Sequence, residues 1–396
     1  MSFFSGEKSP LGRDESSFHP GLSREKTPTG PVVLITDPLL AYQVLTDDRR
    51  FPKPRLETLG LKQFLGESPL TFQRPDENWR QARELTEQIL GAYGQERTDR
   101  TAALTAYAST FVHRLSQNTG KIWDAKQIGT EFAVGATSIL LFRSVDVLLK
   151  KQGQLHHAIQ QVKILGMASH LLRDFSTEPT IKGKLIYPLS LLVNAMAAGA
   201  AKSVDHFFSN LVREAQQKLQ LANDLSSKLS QPELIAQLKT LVMAGIDTTA
   251  SQVTSGLVQL GTNPELAEIW QNGKTSEFVR QTLFAHPPLD LYRLVAEGTV
   301  LGGVTLLPGE ILQIDTQALH QTHPAVLSGT GFSFNHPDSQ RHCPGEPAAK
   351  LELTLFFEQL RQEVREVNYH GTLPVSYQKG LVGIIRLPSD TKVSFQ

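Results

Sequence analysis

One cysteine, Cys343, stands among 396 residues, and that count decides what holds a fold of this chain together. A single thiol forms no disulfide within the chain, and a structural zinc site needs several Cys or His ligands at short spacings that are not evident here. Stability must come from a packed apolar core, which a chain of this length is able to bury. The cysteine lies in the run Phe334-Asn335-His336-Pro337-Asp338-Ser339-Gln340-Arg341-His342-Cys343-Pro344-Gly345-Glu346-Pro347, ahead of an apolar helical stretch. Pro344 and Gly345 make a tight backbone path, Arg341 places a cation two residues away, and Glu346-Pro347-Ala348-Ala349 reads as a first helical turn. Free N–H groups at such a helix start favour a thiolate. From this window alone an inert core thiol, a nucleophile and a ligand to iron all remain open.

Charge narrows the partners. Lys and Arg number 39 against 39 Asp and Glu, so no net field draws the chain to phosphate backbones or anionic lipid, and nucleic-acid binding is not expected. The first thirty residues are polar and broken by Pro10, Pro20 and Pro28, with no apolar run suited to a signal peptide or a membrane span. We expect a soluble, cytoplasmic protein with no membrane contact: a polar segment over 1–29, then one domain over 30–396. No internal repeat or compositional linker divides it.

Periodicity predicts a mainly α protein with small β-sheets, an α+β fold. Residues 31–35 read as a strand, and Asp37-Pro38 as the cap and first turn of a helix carrying Leu39, Leu40, Val44 and Leu45. Helical patterns cover 76–90, 97–118, 126–150, 153–171 and 186–222. Pro232 opens a long helix with one apolar stripe through Leu234, Ile235, Leu238, Leu241 and Val242, and Thr275 or Ser276 caps a later one. Short strands follow at 294–296, 299–301, 304–306 and 311–314, and a closing hairpin pairs 381–387 with 392–395.

Three further motifs are each weak alone. Ala244-Gly245-Ile246-Asp247-Thr248-Thr249 continues the long helix, where Gly245 removes bulk and Thr248 is placed to turn its hydroxyl onto a backbone carbonyl, making a kink or groove; a packing glycine beside solvated polar residues is the plainer alternative. Glu277 and Arg280 share a helix face, most often a surface pair of little worth. Trp79 and Arg83 share another, equally readable as an exposed basic face.

Taken in order, the Ala-Gly-x-Asp-Thr-Thr run, the Glu-x-x-Arg pair and the Arg-x-Cys-Pro-Gly-Glu run make the chain resemble the cytochrome P450 family over nearly its whole length. The resemblance implies a helical fold with a long central helix over haem b (iron protoporphyrin IX), and Cys343 as the metal ligand. It implies Asp247 and Thr248 as a catalytic acid–alcohol pair beside dioxygen, with Ala244 and Gly245 against the cofactor. Trp79, Arg83, Arg293 and Arg341 match positions that hold the haem propionates, anions for which arginines and an indole N–H supply charge-assisted hydrogen bonds. Glu277 and Arg280 match a buried pair.

The activity implied is that of a monooxygenase hydroxylating a small organic substrate. Electrons come from a ferredoxin or flavodoxin with its reductase, since the chain shows no fused flavin or iron–sulfur module. Oxidative coupling, desaturation, cyclisation and peroxygenase chemistry on the same fold are alternatives, as is a non-catalytic haem protein. By position the pocket draws on 59–71, 164–200, Ala244, Thr248, 288–292 and 380–382, largely apolar, which favours a lipophilic or aromatic substrate. Two departures stand out. His336, Pro337 and Ser339 replace the phenylalanine and glycines usual before the cysteine, with Phe334 two residues early. The connection from Pro324 to Phe334 is short and lacks the arginine that joins the Glu277–Arg280 pair, leaving only His320 and His323 nearby.

Overall fold

The structure, a computed structural model, describes residues 19–27, 30–54, 75–91, 95–155, 181–218, 230–324, 327, 329–379 and 385–396. Strands β1 (Leu22–Thr27) and β2 (Gly30–Ile35) lead into α1 (Pro38–Thr46). The helical body runs through α2 (Glu77–Gly91), α3 (Gln95–Ser116), β3 (Trp123–Asp124), α4 (Ala125–Phe142), α5 (Asp146–Leu149), α6 (Ile181–Lys218), α7 (Gln231–Thr262), α8 (Pro264–Gln271) and α9 (Thr275–Ala285). Then come β4 (Leu291–Leu294), β5 (Thr299–Leu301), β6 (Val304–Leu306), β7 (Ile311–Ile314), α10 (Thr316–Thr322) and α11 (Glu346–Glu363). The chain closes with β8 (Val367–Tyr369), β9 (Tyr377–Lys379), β10 (Arg386–Pro388) and β11 (Lys392–Phe395).

Helix α7 is the axis of the body. Its start is fixed by Pro232 and by Glu233, whose carboxylate accepts from Ser230 N at 2.9 Å and Ser230 Oγ at 2.7 Å. From Thr249 to Leu260 every residue is buried, the mark of a helix enclosed on all sides. Helix α4 lies alongside because Gly129 has no side chain: a Cβ there would stand 2.5 Å from Ala250 O.

Helix α11, whose first turn follows Cys343, is anchored by aromatic packing. Phe356 lies 4.8 Å from Phe132 between ring centroids, Phe357 stands edge-on to Phe278 at 4.9 Å, and Trp270 Nε1 donates to Phe357 O at 2.8 Å. Each buried phenylalanine contributes on the order of 1.5–3 kcal/mol, so the start of α11 has a rigid base.

The first sheet has the order β1-β2-β7-β4, with β2 parallel to β7 and the outer pairs antiparallel. Strand β1 lies within the stretch expected to be a polar segment. The strand expected at 294–296 is instead Leu291–Leu294, because past Leu294 the amides turn to other carbonyls: Val295 N to Glu310 O and Ala296 N to Arg50 O, both 2.9 Å.

The closing hairpin is not formed as expected. β10 pairs back with β9, while β11 inserts between β3 and β8. Buried Val393 and Phe395 gain a core there that a lone hairpin would not give them. The helix expected over 126–150 breaks at Arg143, which takes φ 52°. Ser138 Oγ donates to Ser144 O and accepts from Leu148 N, folding α5 back. Neither Thr275 nor Ser276 caps α9; Lys274 does, and the Thr275 hydroxyl is spent on Glu358 Oε2 at 2.6 Å. The 153–171 helix lies mostly, and the pocket stretches 59–71 and 380–382 wholly, outside the described residues.

Candidate functional site

Cys343 sits where a hydrogen-bonded loop meets α11. Its amide donates to Phe334 O at 2.9 Å, and its sulfur accepts from Gly345 N–H at the helix cap. The loop solves without glycine what its unusual sequence posed. Asn335 takes φ 69° and donates through Nδ2 to Arg341 O at 2.9 Å, while Ser339 Oγ donates to Leu45 O at 2.7 Å. Burial pushes the Cys343 thiol up, against the Gly345 N–H, Arg83 and Lys53. The amide at the helix start pulls the other way but does not outweigh burial.

Cations gather around the cysteine from distant segments. Arg341 Nε is 2.8 Å from Asp48 Oδ2 in a pair almost fully shielded from water, and its guanidinium lies 5.2 Å from the ring centroid of Trp79. Arg83, on α2 one turn beyond Trp79, donates to His342 O and pairs with Glu87. Arg293, fully buried on β4, donates Nη1 to Tyr292 O at 2.9 Å, while its Nε and Nη2 have no hydrogen-bond partner among the described residues. Burial pulls its guanidinium down to about 10. Lys53 shares the field of Arg293, Arg341, Asp48 and Cys343, and burial followed by the two arginines pulls its ammonium down to about 7.

On α7, Thr248 Oγ1 donates to Ala244 O at 2.6 Å, the diversion expected from the motif. Ala244 is exposed, and Asp247 and Thr248 are half-buried. Gly245 takes the packing role that was its plainer alternative. A Cβ there would stand 2.9 Å from Thr137 Oγ1 on α4, so this glycine admits a neighbouring helix, and α7 runs unbroken through it.

Arg280 Nη2 and Nε reach Glu277 at 2.5 and 2.7 Å, holding the Glu277 carboxyl at about 2. With side chains 40% and 38% exposed, this pair is not the buried one implied by resemblance, and Arg280 spends Nη1 on Gly329 O at 2.9 Å. Met196, expected near the pocket, is exposed on α6.

Sequence reading missed Lys53 and Asp48, although the rigid Phe51-Pro52-Lys53-Pro54 run was a signal, and it missed Glu352. That carboxyl is buried on α11, accepts from Thr249 Oγ1 at 3.0 Å, and is pushed up to about 8 by burial.

The family model for cytochrome P450 matches residues 21–272. The chain belongs to the cytochrome P450 family. It is 26% identical over 348 residues to the cytochrome P-450 monooxygenase DoxA of a Streptomyces species, spanning 82% of this chain and 79% of that one. To the DoxA of Streptomyces peucetius subsp. caesius it is 23% identical over 357 residues, spanning 85% and 82%. The P450DA heme domain superposes with a TM-score of 0.72 at 16% identity, covering 95% of this chain and 90% of that one. P450BioI, solved in complex with an acyl carrier protein ligated to hexadec-9Z-enoic acid, gives 0.70 at 19% identity, covering 95% and 96%. These structures speak for the fold.

As a P450, the chain is a haem b monooxygenase that uses dioxygen, an organic substrate and a redox partner. No helix among the described residues is long and apolar enough to cross a membrane. The residues present fit the cofactor: one thiol capped by an amide, beside the buried Arg293, whose Nε and Nη2 have no hydrogen-bond partner among the described residues and would suit a propionate.

Proposed function

We propose that Cys343 is the axial ligand, that Arg293, Arg341, Arg83 and Trp79, joined by Lys53, hold the propionates, and that Asp247 and Thr248 manage protons at the distal face. Haem held by a thiolate supplies oxygen activation, because sulfur pushes electron density toward the iron. The chain's own residues do the rest. Thr248 keeps its hydroxyl pinned to Ala244 O, so its Oγ1 lone pair is held at a fixed spot on α7 and is free to accept a hydrogen bond, while Asp247 supplies the acid of the pair. The substrate is a small lipophilic or aromatic molecule, hydroxylated in the cytoplasm with electrons from a ferredoxin or flavodoxin and its reductase.

The observation that carries this reading is Arg293, a fully buried guanidinium with two nitrogens lacking a partner among the described residues, in the same charge cluster as Cys343. A carbon-monoxide difference spectrum of the reduced, haem-loaded protein tests it: a thiolate-type band is expected, and a nitrogen-ligated spectrum would overturn the ligand. Arg293→Met is expected to leave the haem-free protein at least as stable, since a buried cation only partly offset by Asp48 is removed, while haem affinity falls by about 2 kcal/mol, roughly 30-fold. Melting curves with and without haem separate the two. Thr248→Ala is expected to cut product formed per electron pair by about 10-fold or more, once a spin-shift screen of lipophilic compounds has supplied a substrate. Unchanged coupling would remove the proton role.

A further inference from the structure

We propose that His320 fixes the shortened connection between α10 and the cysteine loop, and so positions the backbone that carries Cys343. The inference rests on Cys343 being the iron ligand.

The need arises in the sequence. Pro287 and Pro288 follow α9 and have no N–H, so the carbonyls of Leu283 and Phe284 cannot receive the bonds that a continuing helix would give them. Both are served from the connection instead. Ser333 Oγ donates to Leu283 O at 2.7 Å, and His320 Nδ1 lies 2.6 Å from Phe284 O. A carbonyl only accepts, so Nδ1 carries the proton and Nε2 presents a lone pair, which accepts from Phe332 N at 2.8 Å. The imidazole is buried and stacked on Phe284 with 4.6 Å between ring centroids and 9° between planes.

This bridge leads directly to the cysteine. Phe332 O accepts from Asn335 N at 3.0 Å, and Phe334 O accepts from Cys343 N at 2.9 Å. The turn is cut to fit the ring: Gly331 adopts φ 57°, and a Cβ there would fall 2.3 Å from His320 Nε2. An arginine has only donors and could not accept from Phe332 N while donating to Phe284 O, so His320 does its work in a way open to an imidazole. Arg280, one turn earlier on α9, ties the same connection through Nη1 to Gly329 O at 2.9 Å.

The test uses the haem-loaded protein. His320→Phe keeps the ring stack and removes both hydrogen bonds; Gly331→Ala attacks the same contact from the turn. Each is expected to lose the thiolate-type carbon-monoxide band in mild denaturant about fivefold or more faster than the unaltered protein, with far-ultraviolet circular dichroism preserved. Wild-type rates in both variants would overturn the proposal. Hydrogen exchange in the unaltered protein decides the matter even where variants fail to fold: the Phe332 and Cys343 amides are expected to exchange together, and free exchange at Phe332 beside a protected Cys343 amide would sink it. An unaltered protein with no thiolate-type band would instead overturn the ligand assignment.

Discussion

Cys343→Ser is expected to give a folded protein with no thiolate-type band and turnover reduced below detection. The substitution changes one atom, and everything that shapes the loop acts through backbone or through other side chains. The Cys343 amide still reaches Phe334 O, Asn335 still holds Arg341 O, and α11 still rests on Phe356 and Phe357. Thermal stability of the haem-free protein should therefore move by less than about 1 kcal/mol. The chemistry has no such tolerance. A serine oxygen, harder and less polarisable than sulfur, does not supply the electron push toward iron that a thiolate gives. Comparing melting curves with the carbon-monoxide spectrum checks both halves. A persistent thiolate-type band in the variant would leave this chain without a source for it, since no second cysteine exists.

How far such a site is legible in sequence depends on how local its parts are. The cysteine run, the Thr248 hydroxyl bonded four residues back, and the Glu277–Arg280 pair are contacts within one or two helical turns, and spacing alone proposes them. Their surroundings are another matter. Whether Glu277 and Arg280 are buried depends on what packs over them, and among the described residues they stay half-exposed. Asp48 meets Arg341 across nearly 300 positions (|i−j| 293), and Lys53 joins Arg293 and Arg341 only after the first sheet has brought β2 and β4 onto opposite sides of β7. No periodicity records that.

The same distinction explains the fold. Helices α1 and α7 announce themselves by Asp37-Pro38 and by Pro232, because caps and first-turn prolines are local rules. Strand pairing is decided by what buries the side chains. Two short strands near the C-terminus look like a hairpin until Val393 and Phe395 find Trp123 and Val367 on separate elements. Gly245 shows what spacing leaves open: that its missing side chain makes room for Thr137 on α4 is settled only by how two distant helices pack.

Glu352→Gln is expected to stabilise the haem-loaded protein at neutral and alkaline pH and to do nothing in acid. Burial lifts the Glu352 carboxyl to about 8 in the folded protein, from an ordinary value of 4.5. Below pH 4.5 both folded and unfolded chains carry the proton, and the group costs nothing. Between 4.5 and 8 the unfolded chain gives the proton up while the folded one keeps it, so stability falls as pH rises; above 8 both are ionised and the loss is constant. The full difference is on the order of 5 kcal/mol. Glutamine has the same shape and no charge, and Thr249 Oγ1, now donating to Glu352 at 3.0 Å, is able to serve the amide as donor or acceptor. Thermal unfolding of both proteins from pH 5 to 9 reads the result: the curves should coincide at the acid end and separate steadily toward pH 8. Glu352→Ala, which leaves Thr249 facing a hole, should be less stable than glutamine throughout. Parallel pH profiles for the unaltered and glutamine forms would mean that Glu352 is ionised in the folded protein, paired with a cation that its buried position beside Thr249 does not reveal.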